Sequence, residues 1–327
     1  MHKKSLLALA FGVAAVFGSG SVAAADNWPS RSINLIVGFS AGGPTDTASR
    51  VLAQELSAEL GQTVVVDNKP GASGAIAERY LTSQPADGYN MLMLVVPTVL
   101  KRIFDNESQA LAADVDPIAR IYSHDNVLVV NPKYPGMENV RNVKDLVEVA
   151  NKTSDSVMYT SSGMGSIGHL AGQRMANMAN INVQHVSYKG SAPALNDTLG
   201  GQVPMMFGDY TTLLQHIKTG TIRPIAVAST ERLEGLEEVP TLIEQGFEGL
   251  TAVPWGGLVV KKGTDERIKQ KLQDALATIL SRPAVQQKIK DAGLIAHYLP
   301  ASEWKAQVER DFGYWKQVVE SNNIKKE

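Results

Sequence analysis

The sequence predicts an α/β protein of two lobes, each a parallel-rich sheet covered by helices, joined by two chain crossovers that form a hinge. Three observations carry that prediction. Short apolar runs of strand length alternate with apolar residues at helical spacing along most of the chain. The roughly 300 residues beyond an N-terminal leader exceed what one hydrophobic core usually serves. The last stretch shows one strand followed only by helices, so those helices must cover a sheet made earlier. A composition of 44% hydrophobic and 20% charged residues is that of a globular chain.

The leader is read from its three parts. Met1-His2-Lys3-Lys4 is basic, residues 6–17 are apolar, and Ala23-Ala24-Ala25 ends a small-residue run. The apolar part is too short to span a bilayer, which needs about 20 residues. Residues 1–25 are therefore expected to be a signal peptide, cleaved near Ala25, with the mature chain released into the periplasm. No cysteine occurs, which excludes disulfides, thiolate metal sites and an N-terminal lipid attachment. Loss of Lys3 and Lys4 takes the formal net charge from −2 to −4. No long basic run exists, so nucleic acid is not an expected partner.

Taken in order, residues 33–39 read as a strand, and Leu52, Leu56 and Leu60 recur at helical spacing behind Pro44. Strand 64–66, the turn Pro70-Gly71-Ala72-Ser73-Gly74, a helix to Ser83 and strand 91–96 follow. Positions 97–116 carry no readable pattern. Strands are expected at 118–122, 127–130, 157–160, 183–186, 204–207 and 225–228. Helices are expected at 143–151, 166–178 and 192–199, with a short one ending at Lys218. Strand 258–260 precedes helices 265–280, 284–292 and 302–319, which have no strand of their own and return to the first sheet. The chain thus leaves the first lobe near Asp125 and returns near Pro254. Residues 26–125 and 254–327 form one lobe, residues 126–253 the other, with a cleft between them.

Three strand-to-helix loops face that cleft. The first is Ser40-Ala41-Gly42-Gly43-Pro44-Thr45-Asp46, the second Ser161-Ser162-Gly163-Met164-Gly165-Ser166-Ile167-Gly168-His169, and the third Ser187-Tyr188-Lys189-Gly190-Ser191-Ala192-Pro193. Glycines permit close backbone approach, proline suits a first helical turn, and Ser191 suits a cap. Helix starts leave N–H groups without partners and carry partial positive charge, so an anion is the favoured occupant. Asp46 would repel an anion and is assigned to capping or to a bridging water. Lys189 is the only cation in the three loops. The second loop matches G-x-G-x-x-G, but Gln184-His185-Val186 stands where a ribose-binding acid belongs, so no dinucleotide is expected. Each dipole contributes about 0.3–1 kcal/mol when exposed. Charge-assisted hydrogen bonds at ~1.5–3 kcal/mol each must supply the rest of the roughly −8 kcal/mol of a micromolar site.

The chain resembles the tripartite tricarboxylate transporter receptors, the Bug or TctC-like solute-binding proteins. The resemblance is carried by Trp28-Pro29, Val37-Gly38-Phe39 through Asp46, Asp67-Asn68-Lys69-Pro70-Gly71-Ala72-Ser73-Gly74 and Ala86-Asp87-Gly88-Tyr89. It continues through Thr160-Ser161-Ser162-Gly163-Met164-Gly165-Ser166, Tyr188-Lys189-Gly190, Gly200-Gly201-Gln202-Val203, Val239-Pro240-Thr241-Leu242 and Trp255-Gly256-Gly257. It implies a Venus-flytrap, type II periplasmic-binding-protein fold, no enzymatic activity and no cofactor or metal. It also implies a monomer that captures a small mono- or dicarboxylate for a membrane transporter of a large and a small permease subunit. The ligand-binding positions it implies are Phe39, Ser40, Ala41, Gly42, Gly43, Thr45, Asp46, Thr98, Ser161, Ser162, Gly163, Ser166, His169, Tyr188, Lys189, Gly190 and Asp209.

The chain departs from the family's pattern after Val96-Pro97-Thr98, where an Asn-Pro pair is missing, and at Ser123-His124-Asp125-Asn126. Lys101 and Arg102 either face a second ligand carboxylate or form a solvated basic helix end. Two other readings stand beside the receptor: an exported hydrolase using the same cleft, and a ligand sensor for a membrane signalling partner. For the hydrolase, no G-x-S-x-G elbow and no H-E-x-x-H pair occurs. Trp255 is assigned to packing at the second crossover.

Overall fold

The structure, a computed structural model, describes residues 27–153, 156–321 and 324. The expected signal peptide lies outside the described residues. Strand β1 (Ile33–Val37) is buried at four of its five positions because it is flanked by β2 (Val64–Asn68) and β3 (Asn90–Val95), both parallel to it. A strand covered on both faces reads as an unbroken apolar run, which is what the sequence shows. Helix α1 (Pro44–Leu60) starts at Gly43 with Pro44 in its first turn and ends at Gly61, whose φ of 67° suits a left-handed cap. Leu52 and Leu56 lie on its buried face. Helices α2 (Ala75–Ser83) and α3 (Val96–Phe104) follow.

With β4 (Val115–Ser123), β10 (Trp255–Lys261) and β11 (Ile295–Pro300), the first sheet has six strands in the order β11-β4-β10-β3-β1-β2. Strand β10 returns from the far end of the chain and inserts between β3 and β4, antiparallel to both. The second sheet, order β7-β6-β8-β5-β9, comprises β5 (Asn126–Val130), β6 (Val157–Thr160), β7 (Val183–Val186), β8 (Met205–Asp209) and β9 (Arg223–Val227). Its helices are α4 (Val143–Lys152), α5 (Ile167–Ala179), α6 (Ser191–Leu199) and α7 (Tyr210–Lys218). The C-terminal helices α8 (Glu266–Ser281), α9 (Pro283–Asp291) and α10 (Ala301–Ser321) pack back on the first sheet and its helices.

The expected two-sheet α/β architecture is present, with the parallel triplets β2-β1-β3 and β7-β6-β8 each extended by antiparallel strands. Strands β5 and β10, which flank the crossovers, run against the strands of the βαβ units, whereas β4 runs with them and is antiparallel only to its neighbours β10 and β11. One expectation is corrected. The C-terminal stretch also holds a strand, β11, paired with β4 at the sheet edge. An edge strand needs no continuous apolar run, and Ile295 is 48% exposed. Helix α3 fills part of the unread stretch 97–116; it starts directly where β3 ends, so no turn residues announce it.

Only His124 and Asp125 separate β4 from β5, and the second crossover runs alongside the first. His124 donates its N–H to the Pro254 carbonyl at 3.0 Å, and Ala228 donates to the Asn126 carbonyl at 2.9 Å. Among the described residues, no helix is long and apolar enough to cross a membrane.

Candidate functional site

Five helices begin around one cavity between the sheets. The N-cap residues Gly43 of α1 and Val95 of α3 come from the first sheet; Ser166 of α5, Gly190 of α6 and Asp209 of α7 come from the second. The space they enclose is about 470 Å³ with its mouth, and Gly43, Val95, Gly168, Gly190 and Asp209 are on its wall. First-turn N–H groups have no partner within their own helix, and five positive dipole ends converge here. No Lys or Arg lines this cavity among the described residues. An anion held here meets neutral donors.

In the first loop, Asp46 turns away from the role of ligand contact. Its Oδ2 accepts from Gly42 N at 3.1 Å and Arg50 Nε at 2.9 Å, and its Oδ1 accepts from Arg50 Nη2 at 2.9 Å and Asn68 Nδ2 at 3.0 Å. Burial alone would raise this carboxyl, but the bonds from Arg50, Gly42 and Asn68 outweigh it and hold the group below its ordinary value. The charge that would repel an anion is neutralised and fixes the loop.

The second loop is organised from behind. Ser161 Oγ lies 2.7 Å from His185 Nε2 and accepts from Ser166 Oγ at 2.9 Å, while Ser166 Oγ takes the His169 N–H at 3.1 Å. Gly165 N donates to His169 Nδ1 at 3.2 Å, and Met164 N to Ser187 Oγ at 3.1 Å. His169 stacks within 4.2 Å of the His185 ring, and burial, then His185, pushes its pKa down to about 3. It is a neutral acceptor for the loop, not a proton carrier at physiological pH. Gly163 has φ +134°, and a Cβ there would stand 2.7 Å from the Tyr188 carbonyl, so the second and third loops pack backbone to backbone.

Contacts from one sheet's loops to the other's close the cavity. Ser40 Oγ donates to the Lys189 carbonyl at 3.1 Å, and Ser73 Oγ to the Met164 carbonyl at 2.6 Å.

The cavity floor comes from the first crossover. His124 Nε2 lies 2.7 Å from Asp209 Oδ1, and Ser191 Oγ donates to Asp209 Oδ2. Burial would raise Asp209, but His124 and then Ser191 hold it below its ordinary value. Ser191 therefore serves Asp209 rather than capping α6, whose N-cap is Gly190. The buried Tyr122 hydroxyl donates to Thr45 Oγ1 at 3.3 Å, and burial raises its pKa.

Of the sequence-derived positions, Phe39, Ser40, Gly43, Thr45, Ser162, Gly190 and Asp209 line the cavity. Ser161, Ser166 and His169 stand buried behind its wall, with Gly163 packed against Tyr188. Phe39, Ser162, Tyr188 and Lys189 border a neighbouring cavity at the mouth of the loops. Ala41 and Gly42 are exposed. Thr98 is buried against Gly74. Lys101 pairs with Asp105, and Arg102 with Glu78 and Glu107.

A family model described as the tripartite tricarboxylate transporter family receptor matches residues 48–324. The chain belongs to that receptor family. It is 29% identical to protein BugT of Bordetella pertussis over 328 residues, covering 99% of each chain. Among solved structures, the periplasmic binding protein BugD is similar at a TM-score of 0.84 and 30% identity, covering 92% of this chain and 100% of that one. R. palustris Rpa4515, solved with adipate, is similar at a TM-score of 0.84 and 30% identity, covering 91% and 99%.

The departing stretch Ser123-His124-Asp125-Asn126 was expected to face the rest of the ligand, and His124 and Asn126 line the receptor's cavity. Sequence reasoning missed Tyr122 and Pro254 as parts of its wall and gave Trp255 a packing role, yet all three line it. Trp255 does pack, edge-on against Trp304, yet it also faces the cavity. The one signal available was position: both crossovers necessarily pass the cleft.

Proposed function

We propose that this receptor captures a small mono- or dicarboxylate between two lobes in the periplasm and delivers it, as a monomer, to a membrane transporter with a large and a small permease subunit. The observation that carries the proposal is the convergence of five helix N-termini from both sheets on a cavity lined by no Lys or Arg. Neutral donors hold a carboxylate firmly without a fixed counter-charge, which suits a protein that must release its cargo. Family membership and the adipate carried by Rpa4515 support the ligand class. Strand membership supports lobes of residues 26–125 with 254–327 and residues 126–253.

The polar groups of the floor bear on the part of the ligand beyond its first carboxylate. His124 Nδ1 and Asn126 Oδ1 are buried without hydrogen-bond partners, and both residues line the cavity. A ligand that brings a hydroxyl or a second polar group there satisfies them. The hydrolase reading finds less support. Asp209 stands between Ser191 and His124, so the Ser191 hydroxyl meets a carboxylate and not the imidazole of a Ser-His-Asp arrangement, and Ser161, beside His185, is fully buried.

Calorimetry against a panel of mono-, di- and hydroxycarboxylates tests the proposal. One-to-one binding with the ligand recovered unchanged is expected, and Gly163→Val abolishes it. Turnover of any panel member, or no binding across the panel, overturns it.

A further inference from the structure

A second cavity lies beside the first. Its empty space is about 870 Å³ with its mouth, and it is enclosed by β4, the second crossover, β11 and α10. Trp255 and Ile167 are walls of both cavities. Arg120, His297, Asp311, Tyr314 and Trp315 complete this one.

Arg120 is 7% exposed, and Asp311 attracts its guanidinium without a hydrogen bond or close ion pair between them. Its Nη1 donates to the neutral Gln307 Oε1 at 2.7 Å, and its buried Nε makes no hydrogen bond. Several other arginines differ. Arg102, also buried, is paired with Glu78 and Glu107, and the exposed Arg31, Arg50, Arg232 and Arg267 each have an Asp or Glu. A buried charge with one neutral acceptor is costly, and a cavity bordering it offers the missing acceptor room. Asp311 lines the cavity but does not supply it, because its Oδ2 accepts from Trp255 Nε1 at 2.6 Å. Burial raises the Asp311 carboxyl above its ordinary value, opposed by the Trp255 bond, by Arg310 and Arg120, and by Gln307. His297, lowered by burial and by Arg120, adds no second cation. The indole and phenol walls suit a flat apolar body.

We propose that this cavity is a second ligand site, which takes the carboxylate of a small acid with a flat apolar body on the Arg120 guanidinium, against Trp255, Tyr314 and Trp315. The site uses a fixed side-chain cation, whereas the central cavity uses backbone donors, so the two respond to different substitutions.

Titration of the full mature chain with 4-fluorobenzoate, followed by ¹⁹F NMR and calorimetry, tests it. Arg120→Met is expected to weaken the second site roughly 100-fold, as loss of charge-assisted hydrogen bonds implies. Because the substitution removes a buried guanidinium whose Nε has no hydrogen-bond partner, its melting temperature should change little. Asp311→Asn keeps the acceptor for Trp255 and removes the carboxyl that attracts Arg120, so it should tighten the same site. Gly163→Val should leave the site intact, which separates its failure from failure of the central reading. Overturning results are unchanged 4-fluorobenzoate binding in the Arg120→Met, Gly163→Val double variant, absence of any binding in Gly163→Val that still folds, or weaker binding in Asp311→Asn.

Discussion

His124 and Asp209 are 85 residues apart in sequence, yet His124 Nε2 meets Asp209 Oδ1 at 2.7 Å beneath the central cavity. The pair fastens the first crossover to the end of β8 and the start of α7. The backbone repeats the connection, since Tyr210 donates its N–H to the Asp125 carbonyl at 2.9 Å. A carboxylate thus sits at the convergence of helix N-termini with its two oxygens engaged by the His124 imidazole and the Ser191 hydroxyl.

Removal of that partner is expected to be expensive. His124→Ala leaves a buried carboxylate with only Ser191, and breaking a buried pair costs about 3–5 kcal/mol. Urea denaturation at neutral pH reads the loss. The pH dependence has a defined sign. Asp209 has a folded value below 3.8, so its contribution is complete above about that pH and is lost as pH falls through the lower folded value. The stability gap between the native chain and Asp209→Asn should therefore close on acidification below 3.8 and stay open from there to neutrality.

Arg50 acts on ligand affinity from outside the cavity. It is largely exposed, and its bidentate grip neutralises Asp46 at the start of α1. Arg50→Met leaves that carboxylate near the bound anion, and carboxylate affinity should fall about tenfold, ~1.4 kcal/mol. Calorimetry at low and high salt checks the cause: screening should narrow the difference. A salt-independent loss would mean that the loop itself had been disordered.

The loops that open the helices were legible because the demands on them are local. A glycine pair before Pro44, or Gly163 with its positive φ, marks a strand-to-helix turn within a few residues of sequence. Fold class followed from the same periodicity. The floor was not legible, because the His124–Asp209 and Ser161–His185 contacts depend on which strands become neighbours. Helix α3 and strand β11 escaped for another reason: one lacks a preceding loop, and the other lacks a buried face. The hydroxyls of Ser161 and Ser166 illustrate the limit. Sequence placed them correctly at a helix start but not their orientation, which is toward each other and His185.

Gly168 tests whether α5 must lie close to β8. A Cβ added there would stand 2.3 Å from the Phe207 carbonyl, which is backbone and has little freedom to retreat. Gly168→Ala should push the N-terminus of α5 away from the sheet, at a cost of about 1–3 kcal/mol in stability. Because that terminus forms the cavity wall, ligand affinity should fall together with the melting temperature. Gly313→Ala in α10, where no atom lies within 4 Å of the added carbon and the backbone φ is ordinary, provides the control without a clash.

Ser73 isolates closure from folding. Its hydroxyl donates to the Met164 carbonyl at 2.6 Å, a bond between loops that belong to different sheets. In Ser73→Ala the bond is lost, while each sheet keeps its own core. Since one hydrogen bond contributes about 1 kcal/mol net, the closed arrangement should weaken by roughly fivefold and ligand affinity with it. The unliganded melting temperature should change little, whereas the rise in melting temperature on adding carboxylate should shrink. Small-angle scattering should show a larger mean radius for the unliganded variant than for the native chain, and equal radii would mean that this contact does not set the closure equilibrium.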